Sequence, residues 1–193
     1  ALGEEVEGYR ETGFCYFRQQ LADSALVYYT KALAVDPKDT ETLLVRGNLF
    51  FHTQQYNMSI TDYKTVLDID STNAKAMALV GNIYYLQTNY ELSEKYYSNA
   101  IRLDSTNASS YLFLGKVYLE TKKYNYALDM LDKTLELKAN NKGALQVRAT
   151  IYELMGDNEM AIKDCDAILL RAPNDAKTLA YKERLKSGKG STL

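Results

Sequence analysis

The chain has 193 residues, 46% of them hydrophobic and 25% charged, with a formal net charge of −2. This is an ordinary composition for a folded domain, and the near-neutral balance argues against the basic footprint of a nucleic-acid binder. No apolar stretch approaches the length of a membrane-spanning helix, so membrane insertion is not expected.

In chain order, residues 1–5 read as a short, acidic, frayed lead. From there a ladder of small residues sets the frame: Gly13, Gly47, Gly81, Gly115 and Ala149 recur every 34 residues without insertion. Three residues after each comes an aromatic: Tyr16, Phe50, Tyr84, Tyr118 and Tyr152. Twelve residues after each comes a second small residue: Ala25, Ser59, Ser93, Ala127 and Ala161. The units are 6–39, 40–73, 74–107, 108–141 and 142–175, each closing on an Asp or Asn that can cap the next helix. Within a unit the spacing predicts two helices joined by a tight polar turn, near 19–23, 54–57, 88–91, 122–125 and 156–159. Glycine and the aromatic three residues on share a helical face, and the second small residue is the expected partner of the first on the neighbouring helix. No segment alternates with period two, so no strands are expected. Residues 176–186 read as a lone polar capping helix, and 187–193 as a disordered tail.

This pattern resembles the tetratricopeptide repeat, whose signature has the same 34-residue period. The first unit carries it as Tyr9, Thr12, Gly13 and Tyr16, then Ala25, Tyr29, Ala32 and Pro37. The resemblance covers 6–175. The signature tryptophan is always replaced, proline is missing from the three middle units, and Ala149 stands for glycine in the last. The resemblance implies an all-α fold, a right-handed α-α superhelix of antiparallel helix pairs forming one solenoid over 6–186. It also implies a binding scaffold for a protein or peptide partner. A module that assembles with itself, or within a larger complex, is the competing reading.

The residues that could carry chemistry are few. There is no C-x-x-C, no histidine pair and no Gly-rich phosphate loop, so no cofactor, metal or catalytic role is expected. Cys15 and Cys165 fall in apolar columns and read as buried thiols too far apart in the frame for a disulfide. That usage favours a reducing compartment. A cytoplasmic location is the first expectation; a periplasmic or exported one stays open because a chain starting at Ala1 without Met looks trimmed. The acidic pairs Asp68/Asp70 and Asp164/Asp166 read as solvated helix faces.

In this repeat family the first helix of each unit lines the concave surface. The residues beside its packing face are Arg10, Phe14 and Phe17 in the first unit, and Leu44, Asn48, Phe51 and His52 in the second. Asn82 and Tyr85 follow in the third, and Leu112 and Lys116 in the fourth. Aromatic area with interspersed amides suits a bound peptide, because an amide both donates to and accepts from its backbone. Phe51 and Tyr85 share a frame position, and stacking should set them side by side. Many members of the family clamp a chaperone's terminal carboxylate with Lys, Asn and Arg at fixed offsets. No window here completes that set: starting from the second unit the positions hold Leu44, Asn48, Leu79, Ser109 and Phe113. A chaperone-tail clamp is therefore not expected.

Overall fold

The computed structural model describes residues 2–188. Eleven α-helices and no strand occur among the described residues. The chain divides into two compact units, Ala1–Leu103 and Asp104–Leu193. The first holds α1 (Leu2–Arg18), α2 (Ala22–Val35), α3 (Thr40–His52), α4 (Tyr56–Ile69), α5 (Ala74–Leu86) and α6 (Tyr90–Leu103). The second holds α7 (Ala108–Glu120), α8 (Tyr124–Leu137), α9 (Lys142–Leu154), α10 (Asn158–Leu169) and α11 (Ala176–Lys186).

The frame residues at the repeat boundaries start the helices. The Asp39 side chain accepts from the Thr42 amide at 2.9 Å, Asn73 from Ala76 at 2.9 Å and Asn141 from Ala144 at 3.1 Å. Asn107 caps α7 and Asp175 caps α11 in the same way. Such caps contribute about 1 kcal/mol each. The turns inside the repeats are equally periodic. Gln20, Gln54, Thr88, Lys122 and Gly156 all take a left-handed backbone, with φ of 63°, 60°, 57°, 58° and 84°. Each lets the next amide reach back five residues, as Asn89 does to the Tyr84 carbonyl at 2.9 Å, which closes the first helix in a Schellman motif. Turns this short force the two helices of a repeat to run antiparallel.

The glycine ladder lies at the closest approach of paired helices. A Cβ on Gly13 would stand 2.6 Å from the Tyr29 ring, and one on Gly47 2.5 Å from the Tyr63 ring. The small residue twelve positions on completes the contact: the Ser59 hydroxyl donates to the Gly47 carbonyl at 2.7 Å, and Ser93 to Gly81 at 2.9 Å. In the first unit Tyr29, Tyr63, Val66, Val80 and Ile83 are buried. In the second, Ala127, Leu131, Val117, Ala149, Ile151 and Cys165 are buried.

Three expectations are corrected at the edges. Residues 2–5 belong to α1, which starts ahead of the repeat frame and buries Val6. Cys15 is exposed, because no helix among the described residues covers that face of α1; its frame equivalents Leu49 and Ile83 are buried by the repeat before them. Of the tail, Ser187 and Gly188 form the turn that ends α11, and residues 189–193 lie outside the described residues.

Candidate functional site

The side chains singled out on the first helices of unit 1 form a linked aromatic row. The Phe17 ring of α1 lies 5.5 Å from the His52 ring of α3, and His52 meets Phe51 edge-on at 5.8 Å. Phe51 then tilts against Tyr56, the opening residue of α4, at 5.9 Å. Phe14 is 48% exposed, and His52 is exposed as well. On α5 the Tyr85 ring tilts against Tyr90, the opening residue of α6, at 6.0 Å, while Leu86 beside it is exposed. In the second and third repeats the tight turn puts an aromatic at the start of the second helix, Tyr56 and Tyr90, against the ring of Phe51 and Tyr85 respectively.

Other members of the set are engaged elsewhere. Arg10 binds Asp39 at 2.9 Å and Glu41 at 2.8 Å, which fastens α1 to the start of α3. Partial burial works against the Asp39 carboxylate. The Thr42 hydroxyl and amide and the Arg10 guanidinium nevertheless hold its pKa below the ordinary value. Asn48 accepts from the Tyr63 hydroxyl at 2.6 Å, so its carbonyl is used inside the repeat. Asn82 has no side-chain hydrogen bond among the described residues and is half-buried. Leu44 packs on the cores around Leu43 and Tyr63.

In unit 2, Leu112 packs against the core around Leu131, and the Lys116 ammonium sits 4.7 Å from the Phe113 ring centre. Glu153 of α9 takes both guanidinium nitrogens of Arg184, at 2.6 and 2.8 Å, and the Tyr181 hydroxyl at 2.9 Å. These bonds tie α11 to α9.

Two buried ion pairs escape the single-residue reading. Arg46 grips Asp62 at 2.9 and 2.7 Å, and Arg148 grips Asp164 at 3.0 and 2.6 Å. Asp62 and Asp164 are each 3% exposed. Asp164 is thus not on a solvated face, and Asp70 is a C-cap residue beyond α4 rather than a helical one. Asp68 and Asp166 are exposed as expected. The signal was present: Arg one residue before the ladder position and Asp fifteen after it occur together in the second and fifth repeats. Among the described residues no group of three His, Cys, Asp or Glu side chains is placed to hold a metal ion. No helix there is long and apolar enough to cross a membrane.

Comparison with known proteins gives the same frame. Residues 7–190 match the family model described as the ETO1 C-terminal domain. No curated protein sequence matches the chain. Among solved structures, the MamA protein is 26% identical, with 99% of this chain and 98% of that one covered and a TM-score of 0.76. PilF of Pseudomonas aeruginosa is 23% identical over 97% of this chain and 85% of its own, at a TM-score of 0.84. YrrB, described as a TPR protein with an unusual peptide-binding site, is 17% identical over 95% and 98%, at 0.74. The likeness to PilF and YrrB is one of fold. The fold class is all-α, built of the antiparallel helix pairs of tetratricopeptide repeats.

Proposed function

We propose, for a chain that belongs to the ETO1 C-terminal domain family, that it is a protein-interaction scaffold holding a peptide segment of its partner against α1, α3 and α5. The aromatic row Phe17–His52–Phe51, flanked by exposed Phe14, carries this reading. Apolar rings clustered at a surface are where binding energy concentrates. Asn82 and the amino group of Asn48 supply hydrogen bonds for a peptide backbone beside the rings. Leu44 and Phe51 back the row from the core, and Arg10 holds α1 in place beside it. With no free charge cluster in the row, binding depends weakly on salt. Leu112 and Lys116 form a separate patch in unit 2.

A displayed peptide library panned against the chain tests the reading, with Phe14→Ala and His52→Ala as discriminating variants. Both side chains are exposed, so their loss leaves the fold intact. Phe51→Ala is a poor probe because it also opens the core. Selected peptides should bind the folded variants about thirtyfold more weakly, since hot-spot truncation costs roughly 2 kcal/mol. Unchanged affinity in variants that melt like the parent removes this face as the site.

A further inference from the structure

The second and fifth repeats hold the same arginine in different company. In the fifth, Arg148 gives Nε and Nη2 to Asp164, at 3.0 and 2.6 Å, and its remaining nitrogen, Nη1, to Asp132 of α8 at 2.5 Å. In the second, Arg46 gives Nε and Nη2 to Asp62 in the same way, but its Nη1 has no partner among the described residues. The frame equivalent of Asp132 is Thr30 of α2, which brings no charge. The other neighbours match: Leu26, Phe50 and Met58 correspond to Leu128, Tyr152 and Met160. One carboxylate is thus missing from a repeated arrangement. Beside Arg46 and Thr30 lies a pocket of about 290 Å³ between α2, α3 and α4. Asp62 and Phe50 are buried beneath it, Arg46 and Leu26 are half-buried, and Thr30, Met58 and Thr61 are exposed at its edge.

We propose that this pocket takes one glutamate side chain from a partner polypeptide, whose carboxylate accepts from Nη1 of Arg46 as Asp132 does from Arg148. The fifth repeat shows that an arginine at this place serves two carboxylates at once. The two guanidinium groups are equally open to solvent, with side chains 21% and 20% exposed. Asp62 is the one acidic residue lining the pocket, and both its oxygens are already engaged by Arg46. An incoming carboxylate therefore meets no uncompensated negative charge there. The Thr30 hydroxyl, also without a partner among the described residues, can donate to its second oxygen. Leu26 and Met58 offer apolar surface to the glutamate methylenes and to its neighbours in the partner chain, and the Met58 side chain adapts readily to what it covers. Helical spacing puts Arg46 and Phe50 on the side of α3 opposite Leu44, Asn48 and Phe51, so this contact is separate from the face proposed on α1, α3 and α5.

The test is an amide-resolved NMR titration of the full chain with a capped peptide carrying one glutamate between two leucines, its glutamine counterpart, and acetate and inorganic phosphate alone. The glutamate peptide should shift Thr30, Arg46 and Thr61, and bind about tenfold more tightly than its glutamine counterpart, because hydrogen bonds to charged groups are the stronger class. Thr30→Asp installs from within the carboxylate that the fifth repeat has, and should abolish these shifts. Thr30→Asn, which adds no charge, should keep them. Asp132→Thr makes the opposite change and should open a second site, with new shifts at Arg148. Equal binding of the two peptides, or persistence of the shifts in folded Thr30→Asp, overturns the pocket. Should Thr30→Asp fail to fold, silence at Arg148 in Asp132→Thr overturns it instead. Shifts confined to Phe14 and His52 overturn this pocket and leave the other face standing. Acetate or phosphate matching the peptide at equal concentration overturns the polypeptide in favour of a small anion.

Discussion

Gly47 and Tyr63 occupy one space between them: a Cβ on Gly47 would stand 2.5 Å from the Tyr63 ring, which is fully buried and hydrogen-bonded to Asn48. Gly47→Ala gains about 1 kcal/mol of helix propensity, and overpacking takes back about 1–3 kcal/mol. Because the ring is pinned at both ends, the clash should win, and the denaturation midpoint should fall. Gly81→Ala, whose Cβ would stand 3.2 Å from Tyr97, should cost less. Gly8→Ala meets nothing within 4 Å in the middle of α1 and should raise stability by roughly 0.5–1 kcal/mol. Midpoints from denaturant melts followed by circular dichroism check this order. A Gly47→Ala variant as stable as Gly8→Ala would show that the ring can move.

The repeated left-handed turn offers a second measurement. Gly156 takes this conformation without strain, whereas Thr88 holds φ of 57° with a branched Cβ. A left-handed conformation costs a residue with a side chain about 1–2 kcal/mol, and Asn tolerates it better than most. Thr88→Asn should therefore raise the midpoint, by on the order of 0.5–1 kcal/mol. Gly156→Thr should lower it by a similar amount or more. Equal stability of Thr88→Asn and its parent would locate no strain at this turn.

Periodicity explains what could be read without coordinates. Five copies of one frame expose every column at once, so helices, caps, turns and the ladder were legible down to Asn73 and Asn141. What was missed depends on pairs of columns or on ends. Cys15 shares a column with buried Leu49, and its exposure follows from being on the first helix. The partner of Asn48 comes from another column, the Tyr63 hydroxyl on the next helix. The Arg46–Asp62 and Arg148–Asp164 pairs needed two columns read together. On the candidate face the residue types were legible, but the partners of each ring were not, because Tyr56 and Tyr90 come from second helices.

The two cysteines should separate by reactivity. Cys15 is exposed, while Cys165 is 1% exposed. Burial, with Asp164 and Asp166 nearby, pushes the Cys165 thiol up to about 11, so it presents little thiolate to an electrophile. A chromogenic disulfide reagent should titrate one thiol in the native chain and both in denaturant. Cys15→Ser should remove the native reaction. Rapid native modification of Cys165 would mean that α10 and α11 open readily.

Alkaline titration reports on the buried tyrosines. Burial is the main cause that raises Tyr63 from about 10 to about 12, and it moves Tyr97 in the same direction. The unfolded chain then gives up these protons before the folded one does. Their contribution is complete below about pH 10 and is lost as pH rises towards about 12. Denaturant midpoints should be flat up to the first value and fall between the two, with tyrosinate absorbance appearing alongside. Tyr63→Phe should flatten part of the fall. A fall complete below about pH 9 would place the effect on other groups.

The pair Arg46–Asp62 allows the chain's own repeats to serve as controls. Asp62 is 3% exposed and both its oxygens are taken by Arg46, at 2.9 and 2.7 Å. At the same two frame positions the fourth repeat has Leu114 and Met130, and the third has Val80 and Tyr96. An apolar pair therefore fits this place in the repeat. Breaking the ion pair from one side is a different matter, because a buried carboxylate loses its counter-charge; such losses cost about 3–5 kcal/mol. Arg46→Leu alone should be strongly destabilising, near 3 kcal/mol since the arginine side chain is 21% exposed and water can reach part of the site. Arg46→Leu/Asp62→Met, which installs the fourth repeat's pair, should recover most of that loss, because no charge is left to desolvate. The coupling energy from the double-mutant cycle should be about 2 kcal/mol or more. If the double variant is no better than Arg46→Leu, the pair is not separable from its surroundings, and the Phe50 ring that the Arg46 guanidinium covers at 5.8 Å becomes the next contact to vary.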